Sequence, residues 1–480
     1  MSLTIGTIIN GALSSLGSLG SLGSLGSLGS GLTISTKING TLVLVPSNNP
    51  VTITASGGVN ATAATADAID GGSGVGWKIT NSGTVSSTSG YGVNLAGLGS
   101  NVSNSGSISG AGGILLSNDG TVTNTATGSI TATGKMPSPL ATISGIYVTG
   151  PSSAGMSAIS VTNAGVVTAA DGYGIGLGAS GSVNNSGKVT GGEDGVVVLA
   201  GVGKIQNSGS ITAMLDDGVG LFQGGTVTNA LGASISGVVG VDAAGIFTTG
   251  GTATITNSGQ INGSHYGILV AAGGSVTNSS SGTIKGQGSG VSLSHGGTLS
   301  NSGAISSTAI NSAAADLELG GNLNNYAGGS ISGAGYGAFV TGALGTIVNA
   351  GTITGAAFYG IALNDGGSIH NAATGSITGL NAGVGLANQS ATVLNDGSIN
   401  ATGSGGAAIM ISAGGAVTND SGATLSAAAY GVFASGVAAS VTNAGTVTSA
   451  HAIGLEAGGT VTNLSGGILS GQTAGVFDAG

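Results

Sequence analysis

A tetrapeptide close to Thr-Val-Thr-Asn returns along most of this 480-residue chain, and nothing else in the sequence narrows the choice of fold so far. It ends at Asn81, Asn104, Asn124, Asn163, Asn185, Asn207, Asn229, Asn257, Asn278, Asn301, Asn325, Asn349, Asn371, Asn395, Asn419, Asn443 and Asn463. The usual spacing of about 20 to 24 residues is the period of stacked architectures, in which a copy buries its apolar face only against its neighbours.

Each copy reads as three short strands. The first places Val or Ile two residues before the Asn, as in Val122 before Asn124. The second follows a small turn, as in Gly351-Thr-Ile-Thr354, and the third runs Gly-Val/Ile-x-Leu, as in Gly360-Ile-Ala-Leu363. Apolar and small polar residues alternate within each, the period-2 pattern of one buried and one exposed face. The expectation is an all-β, right-handed parallel β-helix with three strands per turn. About 17 turns at ~4.8 Å would stack on the order of 80 Å, and right-handed coiling follows from the rule for parallel crossovers.

Composition agrees. Gly accounts for 101 residues and charged side chains for only 5%, against about 7% and about 25% in ordinary globular chains. Recurrent Val, Ile, Leu and Ala still allow a core, so disorder is not implied. The net charge is -10, there is no Arg and no Cys, and the six Lys are scattered. That pattern speaks against nucleic acid as a partner and offers no disulfide. No stretch reaches the ~18 apolar residues of a membrane-spanning helix.

Breaks in the pattern divide the chain. Residues 1–30, with their Ser-Leu-Gly repeats, read as a flexible or strand-donating segment. Residues 31–76 read as an amino-terminal cap with irregular first coils, and 77–480 as the repeat array. The array carries Pro137, Pro139 and Pro151 in an expected loop insertion around 133–157, and a smaller insertion near 238–251. Pro cannot donate an amide to a central ladder, so the first of these regions and that of Pro46 and Pro50, before the regular array, mark non-ladder segments. The start of the chain lacks the basic and apolar regions of a secretory signal, which implies a missing leader or another export route.

The recurrent Asn has two readings. It could be an outward array of ligand groups, or a corner residue that visits the left-handed region and stacks its amides in a ladder; its fixed place at the coil corner favours the ladder. Six of the eight Tyr precede the Gly that opens the third strand. They could grip sugars, but a half-buried corner aromatic covering a Gly is the simpler reading.

Catalytic chemistry finds little footing. Asp216 and Asp217 are adjacent, so strand alternation would send them to opposite faces, and Asp119, Asp365 and Asp396 sit in Asn-Asp-Gly turns. His265, His295, His370 and His451 fall in different copies without ligand spacing, and no calcium nonapeptide is present. Thr-x-Thr pairs such as Thr121/Thr123 and Thr460/Thr462 hint at an ice-matching lattice, but too many copies interrupt the row. The expectation is no enzyme, no cofactor and no metal.

The copies Gly-Thr-Val-Thr-Asn-Ser-Gly, Gly-Ser-Ile-Ser-Gly and Tyr-Gly-Val-x-Leu, with the opening Asn49-Pro-Val-Thr-Ile-Thr54 and Gly76-Trp-Lys-Ile-Thr-Asn81, resemble the passenger regions of bacterial autotransporters and related alphaproteobacterial β-strand-repeat surface proteins. The resemblance implies an extracellular or cell-surface location and roles in adhesion, biofilm or surface layers. On this reading the protein is a structural rod that associates end to end with copies of itself. The contacts would be Leu3, Ile5 and Ile8 of a spare amino-terminal strand and Val476 and Phe477 of an uncapped last copy. Two alternatives stand beside it: a monomeric adhesin that grips a surface glycan, matrix or protein through the inserted loop, and a polysaccharide-active enzyme.

Overall fold

The computed structural model describes residues 31–134, 143–150, 159–240 and 242–478. Among these the chain is all strand and turn, apart from one 3-10 turn at Pro46–Asn48. Over the chain 19 strands hold the first place in a turn, so it makes about 19 turns of three strands each, a parallel β-solenoid. No described helix is long and apolar enough to cross a membrane. The contacts divide the chain into two compact units, residues 1–226 with 237–239, and 227–236 with 240–480, and each is described by itself.

A turn of the second unit shows why the sequence coils. Gly345–Asn349, Thr352–Gly355 and Tyr359–Leu363 are its three strands. Each lies parallel to its counterpart in the next turn, with Ile347 beside Ile369, Ile353 beside Ile377 and Ile361 beside Val384. These residues are at most 1% exposed. Like thus stacks on like, and each buried Ile or Val contributes about 1.5–3 kcal/mol relative to exposure. No single turn could gain that alone.

Glycine is demanded where the third strand begins. A Cβ on Gly360 would lie 2.7 Å from both Ile377 Cγ2 and the Gly383 carbonyl, so the second-strand Ile of the next turn occupies the space a side chain would need. The corner back to the first strand uses another device: Gly366 and Gly367 take φ of 82° and 124°, the region that L side chains avoid.

The first unit holds the same register, with Val161 beside Val183 and Val183 beside Ile205. Its start corrects the expected rung count. Residues 31–76 supply two ordinary turns, in which Leu32–Ile34 pairs with Val51–Ile53 and the latter with Lys78–Asn81. Ile34 and Ile53 occupy the place that Asn81 takes in the third turn. Counting turns by Asn therefore missed these two, because an apolar residue fills the same inward position. Where Pro50 can donate no amide, the Asn49 side chain stands in, accepting from Lys78 N at 2.9 Å and donating to Gly76 O at 2.8 Å.

The insertion expected at 133–157 contains a ladder strand. Ser144–Val148 is the third strand of its turn, in register with Gly112–Leu116 and Tyr173–Leu177. Pro137, Pro139 and Pro151 lie outside that strand, and residues 135–142 and 151–158 lie outside the described ones. Likewise Ala244–Thr248, inside the smaller expected insertion, is a third strand beside Tyr266–Val270. In both places the Gly-Ile-aromatic core of a third strand was present in the sequence and masked by its irregular flanks.

Candidate functional site

Within each unit the repeated Asn residues form a run of buried amides. In the first unit Asn81, Asn104, Asn124 and Asn163 each donate from Nδ2 to Oδ1 of the Asn one turn on, and Asn185 does so to Asn207, all at 2.8 Å. In the second unit the run continues from Asn229 through Asn257, Asn278, Asn301, Asn325, Asn349, Asn371, Asn395, Asn419 and Asn443 to Asn463 at 2.8–2.9 Å. The other Nδ2 hydrogen is shared between backbone carbonyls, for Asn349 those of Gly351 at 3.1 Å and Ser376 at 3.4 Å. Every bond points the same way along the coil, so the amide dipoles add. These Asn end strands and do not adopt the left-handed conformation considered for them; among described non-Gly residues only Thr65 and Asn388 have positive φ.

The outer faces of the first, second and third strands differ. First and second strands mostly send Ser, Thr and Asn outward, with interruptions such as Val348, His370 and Leu394 in adjoining turns, which breaks any regular Thr lattice. Third strands carry the aromatics. Every Tyr except Tyr326 lies in one, and every Phe lies in or directly next to one. Tyr359 covers Gly385 and Tyr430 covers Gly454, whose absent Cβ atoms would sit 3.2 Å and 2.9 Å from those rings. The Gly that a ring shields is thus the outward one of the following turn, and not the Gly beside the Tyr.

Two aromatic groups stand out. Tyr336 stacks on Phe358 with centroids 5.0 Å apart and touches Phe339 and Tyr359 at 5.2 Å and 5.9 Å. Tyr430 lies 4.6 Å from Phe433 and stacks on His451 at 5.2 Å. One turn before Phe339, at the same outward place, is Asp316, and before that Ser292. Burial, then the charges of Asp242, Glu318 and Asp316, hold the Tyr266 phenol above its usual range. Burial, then Glu318, push the Asp316 carboxyl up to about 6.

Asp216 and Asp217 do not part to opposite faces as expected. They sit in the corner between Ser210–Ala213 and Val219–Leu221, where strand alternation does not apply. With Asp194 they bring carboxylate oxygens within 4.8 Å of one another. Asp194 accepts from Asp217 N at 3.1 Å. Burial, then the charge of Asp216, push its carboxyl up to about 7 despite that bond. Three hard oxygen donors are the set a divalent cation would choose, yet near neutrality the corner also lowers its repulsion by keeping one proton.

The remaining expected residues serve the scaffold. Asp119 accepts from Gly99 N at 2.8 Å. Asp365 accepts from Gly342 N at 2.6 Å and Thr341 Oγ1 at 3.0 Å, bonds that hold its carboxyl below the usual range. His370 pairs with Asp396 at 2.8 Å, and His265 packs on Tyr266 at 4.3 Å.

Of the expected subunit contacts, Leu3, Ile5 and Ile8 lie outside the described residues. Val476 and Phe477 fall in the strand Ile468–Asp478, which pairs with Thr446–Leu455. Val476 takes the inward place beside Ile453, yet is 46% exposed where Ile453 is 0%. Ile468 at 54% and Leu464 at 46% are open on the same turn. No protein family, no curated protein and no solved structure matches this chain, so the reading of these surfaces rests on their own geometry.

Proposed function

We propose that this is a non-enzymatic structural protein of the bacterial cell surface or extracellular space, a β-solenoid that self-associates end to end. The observation that supports it is the likeness of successive contact surfaces. Rows of Ile, Val and Leu join each turn to the next within a unit, and one-directional Asn bonds add to them from Asn81 onward, so an edge that receives one turn of the array is shaped to receive another. The turn formed by Gly459–Asn463 and Ile468–Asp478 carries such a row, with its inward Val476 46% exposed. A partner turn from a second copy would cover that apolar row and extend the parallel ladder, a heterologous contact that repeats without closing.

The test is sedimentation velocity with negative-stain electron microscopy of the 480-residue chain over a concentration series, beside Val476→Asp. Concentration-dependent linear assemblies in the wild type and their loss in the variant are expected. Single particles at every concentration, or assemblies indifferent to the variant, would overturn the proposal.

A further inference from the structure

We propose that the outward face of the third strands in the second unit, from Tyr266 to Tyr359, binds a polysaccharide of cationic amino sugars. The inference is independent of end-to-end assembly, since it concerns a side of the coil and not its edge.

Three observations carry it. The aromatics of a chain with only 3% aromatic content gather on this sheet, and Tyr336, Phe339, Phe358 and Tyr359 are half-buried there in mutual contact. A platform of that kind receives the C–H faces of pyranose rings and stabilises cations held over it. Second, the charges of Asp242, Glu318 and Asp316 all act on Tyr266, and among the described residues none of these three carboxylates is in an ion pair. Third, Ser292, 1% exposed, has a hydroxyl with no partner, and Asp316 Oδ1 beside it has none. Buried polar atoms left in that state cost free energy, which a bound donor would return.

Rings alone would suit any sugar. The uncompensated carboxylates select: an ammonium supplies both the positive charge and the hydrogen-bond donors that Asp316 and Glu318 lack. Burial, then Glu318, raise the Asp316 carboxyl, and a bound cation would relieve the second of these. Turns stack at ~4.8 Å, so the patch spans roughly 19 Å along the coil axis, room for several rings of one chain.

The experiment is titration calorimetry of the whole protein with a β-1,4-linked glucosamine hexamer, the matching glucose hexamer and a galacturonate hexamer. The glucosamine hexamer should bind at least about tenfold more tightly than the glucose hexamer, and the galacturonate hexamer not at all. Asp316→Asn and Glu318→Gln should each lose about tenfold toward glucosamine and leave glucose binding unchanged, whereas Phe358→Leu should weaken both. Hydrogen exchange of the third strands, unchanged in all three variants, establishes that the coil is intact. Equal affinity for glucose and glucosamine, binding of galacturonate, no binding of any hexamer, or full glucosamine affinity in the doubly substituted Asp316→Asn/Glu318→Gln protein would each overturn the inference.

Discussion

Asn349 lies in the middle of the second Asn run and is 0% exposed. It accepts from Asn325 Nδ2 and donates to Asn371 Oδ1, both at 2.8 Å. Asn349→Ala removes both bonds at once. Asn371 Oδ1 then loses that donor, while Asn325 Nδ2 keeps only the carbonyls of Gly329 at 3.3 Å and Thr352 at 3.2 Å. Two stranded buried ends at about 1–3 kcal/mol each, less what those carbonyls retain, give a destabilisation of about 3 kcal/mol. Because a turn feels only its neighbours, the loss should concentrate between Gly321–Asn325 and Gly367–Asn371. Urea denaturation gives the magnitude, and hydrogen exchange read by mass spectrometry gives the location. Asn349→Asp adds a sign. Its carboxylate would face the carbonyl oxygens of Gly351, Asn371 and Ser376, so its pKa in the folded state must lie above its unfolded value. Full stability would then be present below the unfolded pKa and lost as pH rises through the folded one. At neutral pH this variant should be worse than Ala, and acid should recover it, since a protonated carboxyl can donate to Asn371. An unchanged urea midpoint with unchanged exchange in Asn349→Ala would refute the claim that the ladder holds turns together.

Gly360→Ala should cost about 1–3 kcal/mol or more, the penalty of overpacking a full core. Gly405→Ala, where an added Cβ meets nothing within 4 Å, should stay within about 0.5 kcal/mol; equal effects in thermal or urea unfolding would refute the steric account of the Tyr-Gly motif. Asp194, whose carboxyl is pushed up to about 7, binds its proton more tightly folded than unfolded. Its contribution is therefore best below the unfolded pKa and worsens as pH climbs through about 7, by no more than about 4 kcal/mol. Asp194→Asn should gain on the wild type across that window in urea titrations at stepped pH, and a variant that tracks the wild type at every pH would contradict the assignment.

The solenoid was legible because its physics is repetitive. A Val two residues before an Asn, recurring at one period, encodes both the inward row and the corner. What escaped the sequence broke the period without breaking the structure. Ile34 and Ile53 fill the Asn place and hid two turns. The third strand Ser144–Val148 was hidden by the Pro residues around it, although Gly145-Ile-Tyr-Val148 follows the third-strand pattern. Asp216 and Asp217 were misplaced because alternation was applied to a corner, where backbone direction changes within a few residues and neighbours need not diverge.

The same comparison separates two kinds of position in each turn. Inward positions are fixed by register: Ile353 must sit on Ile377, and Gly360 must leave room for it. Those places repeat because any deviation creates a cavity or a clash against an unyielding neighbour. Outward positions carry such a constraint only where a ring covers them, as Tyr359 covers Gly385, and on the first and second strands they are mostly filled by small polar residues. On the third strands they instead collect Tyr, Phe, Asp and Glu, including a hydroxyl and a carboxylate oxygen without partners. Packing does not require that choice: Gly385 and Ala362 occupy the same outward row as Phe339 and Asp316. A costly arrangement on a face free to be bland is where function independent of the scaffold is to be sought, which makes Asp316 and its aromatic neighbours the first residues to probe.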